Sequence, residues 1–227
     1  MAGSVARVAT ELVRIGVLLA DRTRAEILTA LLDGRAHTGS ELARHIGVSA
    51  STVSEHLAKL LDAGLVRVEA QGRHRYWRLA GSAVAELLET VGAATATVMP
   101  PPPRAPHHLA VARTCYDHLA GALAVAVFDR LVTDGHLVHA GSDLTLTAAG
   151  VERLSSLGAH VAVTSRPLAR PCLDWTERTH HLAGDGGRAL LDAFFANGWL
   201  RRGHRPRSVE LTTPGREAFA SHFGWTG

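Results

Sequence analysis

Over residues 2–20, apolar side chains fall at Val5, Val8, Leu12, Ile15 and Leu19, the three-to-four spacing of one helix face. Asp21 or Thr23 opens a second helix with Ile27, Leu28, Leu31 and Leu32 inward, and Asp33-Gly34 closes it. Ser40 is placed to cap a short helix over residues 41–46, with Leu42, Ala43 and Ile46 on one face. Gly47 then supplies a turn that wants positive φ, and Ser49 caps the next helix. There Val53, Leu57, Leu60 and Leu61 recur on the inward face, leaving Ser51, Thr52, Ser54, Glu55, His56 and Lys59 mostly on the others. Gly64 ends that helix. A strand begins at residues 65–69, Gln71-Gly72 turns it, and residues 76–79 return. Arg73, His74, Arg75 and Tyr76 make a basic, partly aromatic tip. The pattern predicts a helix-turn-helix followed by a β wing.

Small polar residues at the start of the second helix of such a pair can enter the DNA major groove, and a basic wing can meet phosphates. The candidate contacts are Ser49, Ser51, Thr52, Ser54, Glu55, His56, Lys59, Arg73, His74, Arg75 and Tyr76. Across residues 9–92 the sequence resembles the ArsR family of bacterial repressors. The resemblance is carried by Glu41-Leu42-Ala43, by residues 51–57 (STVSEHL), Leu60, residues 63–66 (AGLV) and residues 72–76 (GRHRY). It implies a homodimer on a palindromic double-stranded DNA operator, paired through the first and last helices of the domain. It also implies two customary metal sites, a cysteine box before the turn or an Asp-x-His pair on the last helix. Residues 37–42 hold no cysteine and residues 82–91 no histidine, so both are absent.

Gly81-Ser82 caps a helix through Val91 with Ala83, Val84, Leu87, Leu88 and Val91 as its apolar positions. Four prolines, Pro100 to Pro103, then forbid a helix and favour a stiff extended connection. The expected organisation is a reading and dimerisation domain at 1–98, a linker at 99–108 and a further domain at 109–227. The last contains a repeat, residues 109–160 and 166–227. Arg113-x-Cys115-x-Asp117 matches Arg170-x-Cys172-x-Asp174, and residues 118–121 (HLAG) match 181–184. Residues 144–147 (LTLT) with Gly150 match 209–212 (VELT) with Gly215, and the second copy inserts residues 175–180. The expected fold is mainly α with small β wings: an N-terminal winged helix-turn-helix and two tandem winged-helix-like repeats, each opening on a helix.

Composition changes this picture little. A net charge of +3 with an isoelectric point of about 9.4 allows nucleic acid as partner, since local basic patches set phosphate contact. Two cysteines make no disulfide scaffold and point to a reducing, cytoplasmic setting. No signal peptide and no stretch near the ~20 apolar residues of a membrane span is expected.

The two cysteines hold corresponding repeat positions. If each opens a helix beside an arginine, thiolate is favoured. Duplication could bring the thiols together as a redox pair or a soft-metal or metalloid site, with His118, His180 or His181 as further ligands. Asp117 and Asp174 complete the motif. Equally, each cysteine is readable as a small buried hydrophobe. Trp175, Trp199 and Trp225 fit a core, or the floor of a pocket for an organic ligand. The arginine-rich stretch 201–207 is readable as a solvated hairpin or as an extra phosphate contact. The reading that results is a regulator, released from DNA by a redox, metal or small-molecule effector sensed in the C-terminal domain, with no cofactor needed to bind DNA. The alternative of an enzyme with an N-terminal winged-helix dimerisation domain, as in some small-molecule methyltransferases, would require a Gly-rich turn after a strand; residues 184–187 (GDGG) are expected to lack the strand.

Overall fold

The computed structural model describes residues 2–98, 107–140, 143–161 and 164–227. Most of the expected 99–108 linker lies outside them. The chain forms two compact units, Met1–Leu88 and Glu89–Gly227. They part inside a helix rather than at the prolines: Glu89 already belongs with the second unit, where its carboxylate accepts from Arg207 at 2.7 Å.

The first unit runs α1 (Ala2–Leu19), α2 (Arg22–Leu31), β1 (His37–Thr38), α3 (Gly39–Ile46), α4 (Ala50–Asp62), β2 (Val66–Gln71) and β3 (His74–Leu79), then enters α5 (Ser82–Val98). Its core is Ile27, Leu28, Leu31, Leu42, Val53, Leu57, Leu60, Trp77 and Leu79. Asp21 caps α2 through the Arg24 N–H. Thr38, not Ser40, caps α3: its hydroxyl accepts from the Glu41 N–H, and Glu41 accepts from the Thr38 N–H at 2.7 Å. This reciprocal box satisfies two otherwise orphaned donors. Gly47 ends α3 at φ 81°, and Ser49 caps α4 by accepting from the Thr52 N–H at 3.1 Å. Leu61 departs from its expected inward place and is 41% exposed. The wing hairpin is longer than expected, pairing Gln71 with His74 and Val66 with Leu79, and β1 adds a third strand beside β3.

The second unit runs α6 (His107–Val111), β4 (Arg113–Cys115), β5 (His118–Ala120), α7 (Ala122–Thr133), β6 (Leu137–Ala140), β7 (Asp143–Leu146) and α8 (Ala148–Ser156). The order then recurs as β8 (Arg170–Leu173), β9 (His180–Ala183), α9 (Gly184–Ala196), β10 (Leu200–Arg202), β11 (Val209–Leu211) and α10 (Thr213–Phe223). Past α6, the Arg-x-Cys-x-Asp motif of each copy therefore opens a β-hairpin, not the expected helix. The later part of each follows the expected helix–hairpin–helix order. Thr147 and Thr212 cap α8 and α10 in the same way, through the Gly150 and Gly215 N–H groups. At those glycines the preceding hairpin crosses so closely that a Cβ would lie 2.2 Å from the His136 carbonyl oxygen or 2.0 Å from that of Trp199.

The copies interlock reciprocally: α7 packs on β9, and α9 packs on β5. Between them lies one core that includes Leu123, Val127, Leu131, Leu190, Phe194 and Phe219. Among the described residues no helix is long and apolar enough to cross a membrane.

Candidate functional site

In the first unit, α4 presents Ser49, Ser51, Ser54, Glu55 and Lys59 to solvent, and the wing presents Arg73, His74 and Arg75. A helix buried along Val53, Leu57 and Leu60 must hold the intervening positions outward. Three expected contacts are drawn inward. Thr52 is half-buried, its hydroxyl 2.8 Å from that of Ser49. His56 is largely covered, its Nδ1 3.6 Å from the Asp21 carboxylate at the start of α2. Four residues after Thr52, the helix turn carries it toward the core edge, beside the start of α2. Tyr76 is half-buried, paired with Glu69 and Thr38 in the sheet.

In the second unit, the opening hairpins bring the two cysteines together. Each hairpin sets its cysteine directly across from a histidine, Cys115 from His118 and Cys172 from His181. The Cys115 and Cys172 sulfurs lie 3.8 Å apart, both thiols free. One donor atom from each of Cys115, His118, Cys172 and His181 falls within 4.8 Å of the other three. Both cysteines and both histidines are buried. Strand alternation turns His180 out to solvent, so it is not part of the group.

The thiols lie on strands, not at helix starts, so no helix dipole acts on them as the sequence had promised. Their asymmetry is local. Cys172 is held well below the usual thiol range, first by a hydrogen bond from Cys115 and then by His118 and His181, against the penalty of burial. Cys115 is pushed up by that same hydrogen bond and by burial. Burial alone would lower His118, but Asp117 and the Cys172 sulfur outweigh it and raise it to about 9.

The aspartates of the repeated motif stand behind the histidines. Asp117 Oδ1 lies 3.3 Å from His118 Nδ1, and Asp174 Oδ2 lies 3.3 Å from His181 Nδ1. An arginine holds each in turn: Arg166 donates to Asp117 at 2.6 Å, and the buried Arg113 donates to Asp174 at 2.8 Å. Burial opposes ionisation of Asp117, but His118 and Arg166 lower it to about 2. Asp174 is likewise held well below the usual carboxylate range by His181 and Arg113 despite burial. Asp174 also accepts from the Gly121 N–H at 2.7 Å and from the Thr176 N–H at 3.0 Å, which orders the inserted turn.

The organic-ligand reading finds less here. Trp175 lies under the Arg113 guanidinium, 4.9 Å from ring centroid to carbon. Trp199 stacks on Phe194 and His222 in the aromatic core. The apolar gap lined by Leu119, Val127, Leu190 and Phe194 offers about 10 Å³, room for one water at most. Two of the four arginines of the stretch 201–207 are committed to pairing: Arg201 to Glu210 at 2.6 Å, and Arg207 to Glu89 and the Thr114 carbonyl.

A strand, β9, does precede residues 184–187, contrary to expectation. Yet the Asp185 and Gly186 N–H groups donate to the Pro167 and Leu168 carbonyls, so these donors of the helix start are spent within the fold.

The family described as bacterial regulatory protein, arsR family, matches residues 21–68. YdfF of Bacillus subtilis, described as an uncharacterized HTH-type transcriptional regulator, is 39% identical over 215 residues, covering 92% of this chain and 95% of that protein. The HTH-type transcriptional regulator CmtR of Mycobacterium bovis is 47% identical over 77 residues, 34% of this chain and 64% of that one. A solved homodimeric winged helix-turn-helix domain from Mycobacterium bovis is 29% identical, covering 42% of this chain and 87% of that one, with a TM-score of 0.39. Reading head, sequence profile and near full-length likeness to a relative agree: the chain belongs to the ArsR family of DNA-binding bacterial transcriptional regulators.

Proposed function

We propose that this regulator is a repressor that binds a palindromic operator as a homodimer and leaves it when an effector is sensed in the C-terminal unit. The observation that carries the sensing half is the buried thiol–imidazole group of Cys115, His118, Cys172 and His181. Buried ionisable clusters of this kind are costly and concentrate at functional sites. Operator contact is assigned to Ser51, Ser54, Glu55 and Lys59 on α4 and to Arg73, His74 and Arg75 on the wing. Dimer formation is assigned to α1, where Leu12, Val13 and Val17 are 65%, 66% and 63% exposed. An apolar face of that kind suits a second copy.

For release to work, the effector must prefer the form that binds DNA poorly, and tenfold release needs about 1.4 kcal/mol of preference. The test is fluorescence anisotropy on an operator selected from random DNA, over a salt series. Affinity should fall steeply with salt, and Arg73→Ala with Arg75→Ala should lower the logarithmic slope by about two. Unchanged affinity and slope would remove the wing from the interface.

A further inference from the structure

We infer that Cys115, His118, Cys172 and His181 form a tetrahedral site for a thiophilic divalent cation of the zinc class, with Asp117 and Asp174 orienting the two imidazoles. Two sulfurs each about 2.3 Å from one ion at the tetrahedral angle stand about 3.8 Å apart. The Cys115 and Cys172 sulfurs are 3.8 Å apart. The four donors lie within 4.8 Å of one another, whereas a sulfur and an imidazole nitrogen on one such ion are about 3.5 Å apart, so side chains have to close by up to about 1.3 Å.

The imidazoles decide between a metal and a redox pair. His118 Nε2 and His181 Nε2 are buried and make no well-formed hydrogen bond, with the cysteine sulfurs as their near neighbours. A disulfide would use only the sulfurs and leave both nitrogens stranded. A cation takes all four donors.

Asp117 is hydrogen-bonded to His118 Nδ1, which favours the tautomer that leaves Nε2 free to ligate, the usual arrangement behind a metal-bound histidine. Asp174 stands 3.3 Å from His181 Nδ1 with no hydrogen bond formed and is placed to do the same once the imidazole turns to the ion. Two thiolates cancel the charge of a divalent ion, so the filled site is neutral where burial demands it. The balance is simple: the ion enters, and the protons held by Cys115 and by His118 leave to solvent, Cys172 being a thiolate already. Four protein ligands with no open position suit a structural or sensing ion rather than a catalytic one.

The role of this ion as the effector rests on the function proposed above; the site itself does not. The test is titration of the full, untagged, reduced chain with cobalt(II), read by absorption without DNA. One cobalt per chain should give the intense visible bands of tetrahedral coordination and a thiolate-to-cobalt band in the near ultraviolet, and zinc should erase both. Asp117→Asn, which keeps all four ligands, should weaken cobalt binding by about 10- to 100-fold. Cys115→Ser with Cys172→Ser should lose the thiolate band while far-ultraviolet dichroism shows the fold retained. Only weak octahedral bands in the wild type, or an unchanged spectrum in the double variant, would overturn the site. If that variant unfolds, the wild-type spectrum and Asp117→Asn still decide. A site that fills while operator affinity stays constant would sink the effector role alone.

Discussion

Replacing Arg113 by methionine should cost the second unit about 3 kcal/mol. The side chain is 1% exposed and its partner Asp174 is 0% exposed. The guanidinium donates to Asp174 at 2.8 Å, to the Leu109 carbonyl at 3.0 Å and to Thr176 at 3.2 Å. Methionine keeps much of the apolar stem but removes the charge and every donor. Breaking a buried pair from one side costs about 3–5 kcal/mol, because the other charge stays behind. Asp174 keeps its bonds from Gly121 and Thr176, which places the loss at the lower end. At about 2–4 °C per kcal/mol for a unit of this size, Tm should fall by about 6–12 °C in calorimetry. Arg130→Met is the control: its pair with Asp134 is half-exposed and should be worth under about 1 kcal/mol. A loss below about 1 kcal/mol for Arg113→Met would refute the reasoning, since it would mean that water reaches Asp174.

The Thr38 N–H holds the Glu41 carboxyl below its ordinary value of 4.5, so its contribution is present above that pH and lost as pH falls. Glu41→Gln should therefore be less stable than wild type at pH 7, by under about 1 kcal/mol because the group is exposed, and the two should converge in acid melts. Gly215→Ala should cost about 1–3 kcal/mol or more in urea denaturation, because the new methyl meets the Trp199 backbone rather than a movable side chain. Leu12→Glu should shift the protein toward monomer in sedimentation equilibrium; an unchanged mass would take α1 out of the interface.

The reading head was legible because its helices alternate buried and exposed positions with a clear period. Ser49 and Gly47 do what their types imply. Thr38 was passed over because a two-residue strand, β1, leaves almost no pattern of its own. The opening hairpins of the repeat were harder. β4 and β5 are three residues each and buried on both faces, so neither alternates. Their turn uses Tyr116 at φ 58°, without the glycine that normally announces one. Without the hairpin, the sequence offers His118, His180 and His181 as equal candidate ligands, and the inserted turn hides that His181 is the counterpart of His118. The duplication itself was the usable signal. It sets a cysteine and a histidine at matching places in both copies, and adding the hairpin pairs all four.

Each copy holds one thiol and one imidazole, half of what a tetrahedral ion requires. On separate chains, two such halves would meet only at the rate and concentration that diffusion allows. Joined in one polypeptide, they face each other at a fixed effective concentration, so closing the cluster no longer depends on how much protein is present. Its occupancy can then follow the ligand alone, whatever the expression level of the regulator.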